Sequence, residues 1–163
     1  MFSKDIYIER RNILKTNLKS GLVILPGNQE SPRNYKGNDF NFEQDSCFLY
    51  YFGMNVPNLI GVIDVDKNQE YIFGTDFTLD DIVWMGEQKL LKSFAEDVGV
   101  KNFVEMTEFK KFATKALEEN RELLFLPQYR AETVMQLSKA FELNPFEFEI
   151  NVSEKLIRAV VEQ

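Results

Sequence analysis

The residues best able to do chemistry in this chain are its carboxylates, because histidine is absent from all 163 positions. Without imidazole there is no Ser-His or Cys-His nucleophile, and the commonest zinc ligand is missing. Cys47, the single cysteine, sits between Asp45-Ser46 and Phe48-Leu49-Tyr50-Tyr51-Phe52. It has no disulfide partner within the chain. Apolar neighbours raise a thiol's pKa, so a buried, inert free thiol is expected. A Ser-x-x-Lys dyad would restore acyl chemistry, yet no serine has lysine three positions on. Neither a Gly-x-Gly-x-x-Gly nor a Walker-type loop occurs. A hydrolase working alone with these side chains is not expected.

Acids remain, since Mg²⁺, Mn²⁺ and Ca²⁺ accept sites made only of oxygen. Asp64-x-Asp66-x-Asn68 opens like a calcium loop, but the sixth position is Gln69 and the twelfth Thr75. The motif needs Gly and a bidentate Glu there, so the stretch reads as the turn of a hairpin. Asp76, Asp80 and Asp81 gather where a helix should begin, with Thr78 as cap and Asp81 at the capping-box position. The macrodipole favours acids at that end, so a structural cap is expected there rather than a metal site. Trp84, the one tryptophan, follows this turn, and Gly86 permits close backbone approach to a ligand. A lone Trp also serves as a half-buried core or interface residue.

The elements that must position these groups follow from apolar spacing. A helix is expected over 5–20, with Ile6, Ile13, Leu14 and Leu18 on one stripe and Gly21 as terminator. Leu22-Val23-Ile24-Leu25 reads as a buried strand, and Pro26 to Asp39 as a long polar loop of the kind that carries function. A hairpin is predicted from 59–64 and 71–73, then helices over 76–84 and 89–98, the second stopped by Gly99. Beyond it, strand 102–106, helix 107–119, strand 122–126, helix 131–141 and strand 146–150 alternate. That rhythm predicts an α/β fold: a mixed five- or six-stranded sheet, partly parallel, with helices on both faces. Asn151 is the expected cap of a last helix carrying Leu156, Ile157, Val160 and Val161. This helix either docks on the domain or starts a linker.

Composition narrows the class. The formal charge of −7 and pI near 4.8 disfavour nucleic acid as a partner. The first twenty residues carry seven charged side chains from Lys4 to Lys19 and no apolar h-region, so no signal peptide is expected. No apolar run approaches the roughly 20 residues of a membrane span, so no membrane partner is expected. A cytoplasmic domain is predicted, with Cys47 reduced.

The densest aromatic stretch is Phe40-Asn41-Phe42-Glu43-Gln44-Asp45-Ser46-Cys47-Phe48-Leu49-Tyr50-Tyr51-Phe52-Gly53. Phe40 and Phe42 alternate with polar residues as a short strand does, whereas Phe48–Phe52 suits a buried helical turn or strand closed by Gly53. Gln44, Asp45 and Ser46 would stand against this core or buttress a site. Together with Asn55-Val56-Pro57, Trp84-Met85-Gly86 and the earlier pair Arg10-Arg11, this run resembles the amino-terminal domain of aminopeptidase P (Xaa-Pro aminopeptidase), in the prolidase and creatinase superfamily. The resemblance spans nearly the whole chain and implies that family's N-terminal fold, with its RNase H-like motif.

It also implies a non-catalytic domain over 1–150, with 151–163 starting a linker helix toward a catalytic domain. That domain would hold two divalent metals, manganese or similar, and remove an N-terminal residue preceding proline. By resemblance, Trp84, Asn38 and Asp39 wall the substrate pocket of a neighbouring subunit, and Arg33 lies at its rim. Where the family usually carries a basic residue before the Gln, this chain has Glu43. The expected partners are the parent's catalytic domain, neighbouring subunits of a homo-oligomer and a proline-containing peptide. The alternative is a stand-alone module of the same fold that binds peptides or proteins.

Overall fold

The structure, a computed structural model, describes residues 2–35, 37–76 and 90–163. The helix expected over 76–84 lies outside the described residues from 77 onward, as do Asp80, Asp81, Trp84 and Gly86. The chain builds a five-stranded sheet in the order β4-β3-β2-β1-β5. Its strands are β1 (Leu22–Pro26), β2 (Ile60–Asp64), β3 (Gln69–Gly74), β4 (Asn102–Glu105) and β5 (Leu123–Phe125). The central pairs β1/β2 and β2/β3 are antiparallel, while β3/β4 and β1/β5 run parallel.

β1 and β2 are buried along their whole length because helices cover both faces of the sheet there, which is why β1 reads as an unbroken apolar run. Val23, Leu25, Ile63, Ile72 and Leu124 point into one layer. That layer holds α1 (Lys4–Leu18), α2 (Ser46–Phe52), α3 (Leu91–Asp97) and α6 (Glu154–Val161). Leu22, Ile24, Val62, Phe73 and Phe125 point to the other, against α4 (Phe109–Glu118) and α5 (Ala131–Phe141). There Phe109 and Phe141, Phe125 and Phe141, and Phe125 and Phe148 meet edge to face with centroids 5.3–5.8 Å apart.

The aromatic run becomes a short helix rather than a strand. Asp45 Oδ1 accepts from the Phe48 backbone N–H at 2.9 Å and starts α2, and Gly53 ends it at φ +63°. Only glycine fits at 53, because a Cβ there would also overlap the Tyr7 ring. The Arg pair fastens α1 to this helix. Arg11 is 1% exposed and donates to the carbonyls of Tyr51 and Val98, both at 2.7 Å. Arg10 donates to the Tyr50 carbonyl at 2.9 Å and lies 4.0 Å from the centre of that ring.

Four expectations are corrected. The segment 146–150 is not a strand but part of 3₁₀ turns over Pro145–Asn151. Pro145 fixes its own φ, and the Asn144 side chain accepts from the Phe146 N–H at 3.1 Å, so the chain coils at once. The alternation of Phe146, Phe148 and Ile150 misled: only Phe148 is buried, while Phe146 is 96% exposed. The last helix is capped by Ser153, whose Oγ accepts from the Leu156 N–H at 3.2 Å, and not by Asn151, which bonds to the Phe148 carbonyl. Phe40 and Phe42 lie in irregular backbone, where only Pro32 and Asp39 form an isolated bridge. Cys47 is half-buried rather than buried.

Candidate functional site

The Gln44 amide ties together the two ends of the loop from Asn28 to Gln44. Gln44 Oε1 accepts from the N–H groups of Asn28 (2.6 Å) and Asp45 (3.0 Å). Its Nε2 donates to the carbonyls of Val56 (2.7 Å) and Met54 (3.3 Å). One buried side chain thus ties three backbone segments together, which is a structural task. Between these ties the loop folds into a small hairpin: the Arg33 N–H donates to the Asn38 carbonyl at 2.8 Å, and the Phe40 N–H to Ser31 at 3.0 Å. Asn38 also donates from its side chain to Asn34 Oδ1 at 2.7 Å.

The hairpin borders an open hollow of about 580 Å³, walled by Gln29, Pro32, Arg33, Tyr35, Asp39 and Asn58. Of the expected site residues, Asp39 and Arg33 face this hollow, and Asn38 braces its hairpin. Trp84 lies outside the described residues, so its position relative to Asp39 is not part of this geometry. Tyr35 is 65% exposed, and Arg33 lies over the Phe40 ring at 5.1 Å from its centre. Such a rim can present a planar cation, a phenol and a carboxylate to a peptide.

Of the acids singled out for metal chemistry, Asp64, Asp66 and Asp76 are occupied otherwise, and Asp80 and Asp81 lie outside the described residues. Arg121 donates to both oxygens of Asp64 (2.6 and 3.2 Å) and to Asp66 Oδ2 at 2.9 Å. Asp64 Oδ1 also accepts from the Lys67 N–H at 3.0 Å, closing the β2–β3 turn as the hairpin reading requires. Burial pushes the Asp66 carboxyl up, but the Gly21 N–H and Arg121 outweigh it and hold the group below the usual carboxylate range. Asp76 Oδ1 accepts from the Leu91 N–H at 3.0 Å, at the start of α3. Among the described residues, no group of three or more His, Cys, Asp or Glu side chains is placed to hold a metal ion. The described residues do not gather into a two-metal centre.

A second concavity went unread in the sequence. A groove of about 230 Å³ opens between α2, α6 and the carboxyl ends of β1 and β5. Pro26 and Leu126-Pro127 form its floor, Cys47 one wall, and Ile157, Val160 and Val161 the other. Burial and then Asp45 push the Cys47 thiol up from its ordinary value. The available signal was the proline closing each of the two strands that run parallel here.

Comparisons with known proteins place this architecture. The family model described as "Aminopeptidase P, N-terminal domain" matches residues 7–125. The human Xaa-Pro dipeptidase is 32% identical over 79 residues, covering 48% of this chain and 16% of that protein. Aminopeptidase PepP of Pseudomonas aeruginosa superposes with a TM-score of 0.74 at 17% identity, over 87% of this chain and 33% of that one. Aminopeptidase P of Escherichia coli gives 0.71 at 19% identity, with the same coverage. The chain thus spans about a sixth of its curated relative and a third of these structural neighbours. A match across most of its length, on the mixed sheet and two helical layers described above, shows that the chain belongs to the aminopeptidase P N-terminal domain family.

Proposed function

We propose that this domain serves a metal-dependent Xaa-Pro peptidase without performing its chemistry. The carrying observation is the family match over residues 7–125 in a sequence with no histidine. The relatives named above support it: they are a dipeptidase and aminopeptidases whose chains extend far beyond this domain. In this reading the parent removes an N-terminal residue preceding proline, using two divalent ions, manganese or similar, held by a catalytic domain. Such ions, held there, would supply Lewis acidity to a water nucleophile and to the negative charge that develops on the scissile carbonyl.

This chain's residues contribute elsewhere. Asp39 and Asn38 on their braced hairpin, with Trp84, wall the peptide's entry in a neighbouring subunit, limiting its length and orienting it. Exposed aromatics such as Tyr35 provide surface for a homo-oligomer. No helix among the described residues is long and apolar enough to cross a membrane. We place the protein in the cytoplasm, where a lone thiol stays reduced.

Two measurements test the reading. The 163-residue chain, incubated with Xaa-Pro peptides and added Mn²⁺, is expected to release no N-terminal residue. Chelator-sensitive turnover proportional to protein would overturn it. Sequencing past the codon for Gln163 is expected to show an open frame that supplies Asp, His and Glu metal ligands. A stop codon there favours the stand-alone binding module.

A further inference from the structure

We propose that the groove between α2, α6 and the carboxyl ends of β1 and β5 is the seat for an apolar side chain of the parent's catalytic portion. The inference rests on the reading above, and it assigns that reading's main intramolecular contact to a particular surface. The chemistry of the groove decides the class of occupant. Leu25, Pro26, Leu126, Pro127, Ile157 and Val160 line most of it, with Asp45, Cys47, Gln128 and Tyr129 as its polar lining. Asp45 spends Oδ1 on the Phe48 N–H at 2.9 Å, and the Gln128 amide donates to the Leu126 carbonyl at 3.1 Å. An apolar side chain suits this largely hydrocarbon lining, against which a charged one would lose most of its hydration.

Size narrows the choice further. About 230 Å³ lies below the roughly 300–1,000 Å³ of small-molecule sites, and suits one large aliphatic or aromatic side chain. The rim shows what remains to be covered. Tyr129 is 91% exposed and Val161 79% exposed, both at the lip of this groove. An exposed aromatic beside an apolar hole is a common composition of an interface.

The position selects the catalytic portion over other partners. Helix α6 forms one wall with Ile157, Val160 and Val161 while its opposite stripe, Leu156 and Ala159, is buried in the domain. Gln163 is held in place: its Nε2 donates to the Arg10 carbonyl and its Oε1 accepts from the Tyr51 hydroxyl, both at 2.6 Å. Polypeptide continuing past Gln163, as in neighbours three times this chain's length, would therefore set out from beside the lip.

Cys47 in the wall makes the test direct. Its labelling by a maleimide, read by mass spectrometry of the Cys47 peptide, is compared in the 163-residue chain and in the polypeptide continued by its downstream coding sequence. Labelling is expected to slow by about tenfold or more in the longer protein, because reagent reaches the thiol only when the contact opens. The double substitution Tyr129→Ser/Val161→Asp is expected to restore the faster rate. Both positions are exposed, so the domain should keep its fold, which circular dichroism of the short chain verifies. Equal rates in the two lengths, or no restoration by the double variant, overturn the inference, while Xaa-Pro hydrolysis by the longer protein keeps the functional reading standing. Protection that grows with the concentration of the short chain alone would give the groove to a second copy and overturn it as well. A stop codon after Gln163 would end both.

Discussion

Arg11 is a buried cation that joins three helices. It is 1% exposed, its Nε has no hydrogen-bond partner, and its two terminal nitrogens hold the carbonyls that end α2 and α3. Burial pushes its pKa down to about 10, opposed by the Glu70 carboxylate, so it stays charged at neutral pH. Arg11→Ala should cost about 3–5 kcal/mol, since it orphans two buried carbonyls and leaves a cavity. Arg11→Met keeps the volume and removes the desolvated charge, so its cost should be smaller, about 1–3 kcal/mol. Urea unfolding of the two variants checks the order, and a Met variant as unstable as the Ala variant would refute it. The sequence showed the Arg pair and its family parallel. It could not show that the second guanidinium is interior, because helical spacing alone places charges outside.

At the scale of elements, the β2–β3 turn shows how a cation from afar replaces a metal. Arg121 lies just before β5, and the buried carboxylate it grips, Asp64, has a side chain only 2% exposed. Arg121→Ala should cost about 3–5 kcal/mol by leaving that charge unpaired. Asp66 is the outer partner, with its side chain 40% exposed, so its share is small. Its folded pKa is depressed, and its contribution is therefore present above the unfolded value near 3.9 and lost as pH falls through the folded one. Asp66→Asn should lower stability slightly at pH 7 and flatten its decline below about pH 4, where the wild type alone still has this group to protonate. Denaturation midpoints at pH 7, 4 and 3 decide this. The hairpin was legible because turn formers separate two apolar runs. Arg121 was not, since nothing local joins position 121 to 64. Capping was half legible: a polar residue before α6 was expected, yet the bond is made by Ser153. Ser153→Ala should thus cost about 1 kcal/mol and Asn151→Ala much less.

For the whole molecule, the layering was legible and the strand order was not. Apolar runs at 22–25 and 59–64 announce strands covered on both faces, but periodicity carries no information on which strands pair. Of the candidate site, Asp39 and Arg33 share a hollow, whereas the groove formed only when α6 came back across roughly 100 residues of chain to lie beside α2. That return bears on where the domain ends. We propose residues 1–150 as the domain proper and 151–163 as the start of a linker helix, and the helix is nonetheless built into the core. Leu156 is fully buried, worth roughly 1.5–3 kcal/mol by itself. The Ser153 N–H donates to the Phe125 carbonyl at 2.9 Å, covering the edge of β5, and Gln163 bridges α1 and α2. A chain ending at residue 150 should therefore lose at least about 3–5 kcal/mol, a large share of a domain's usual 5–15. Its exposed β5 edge should also promote association. Thermal unfolding and sedimentation of the two lengths measure both effects. A truncated chain that stays monomeric with an unchanged midpoint would show that α6 is only a tether, and that the core closes without it.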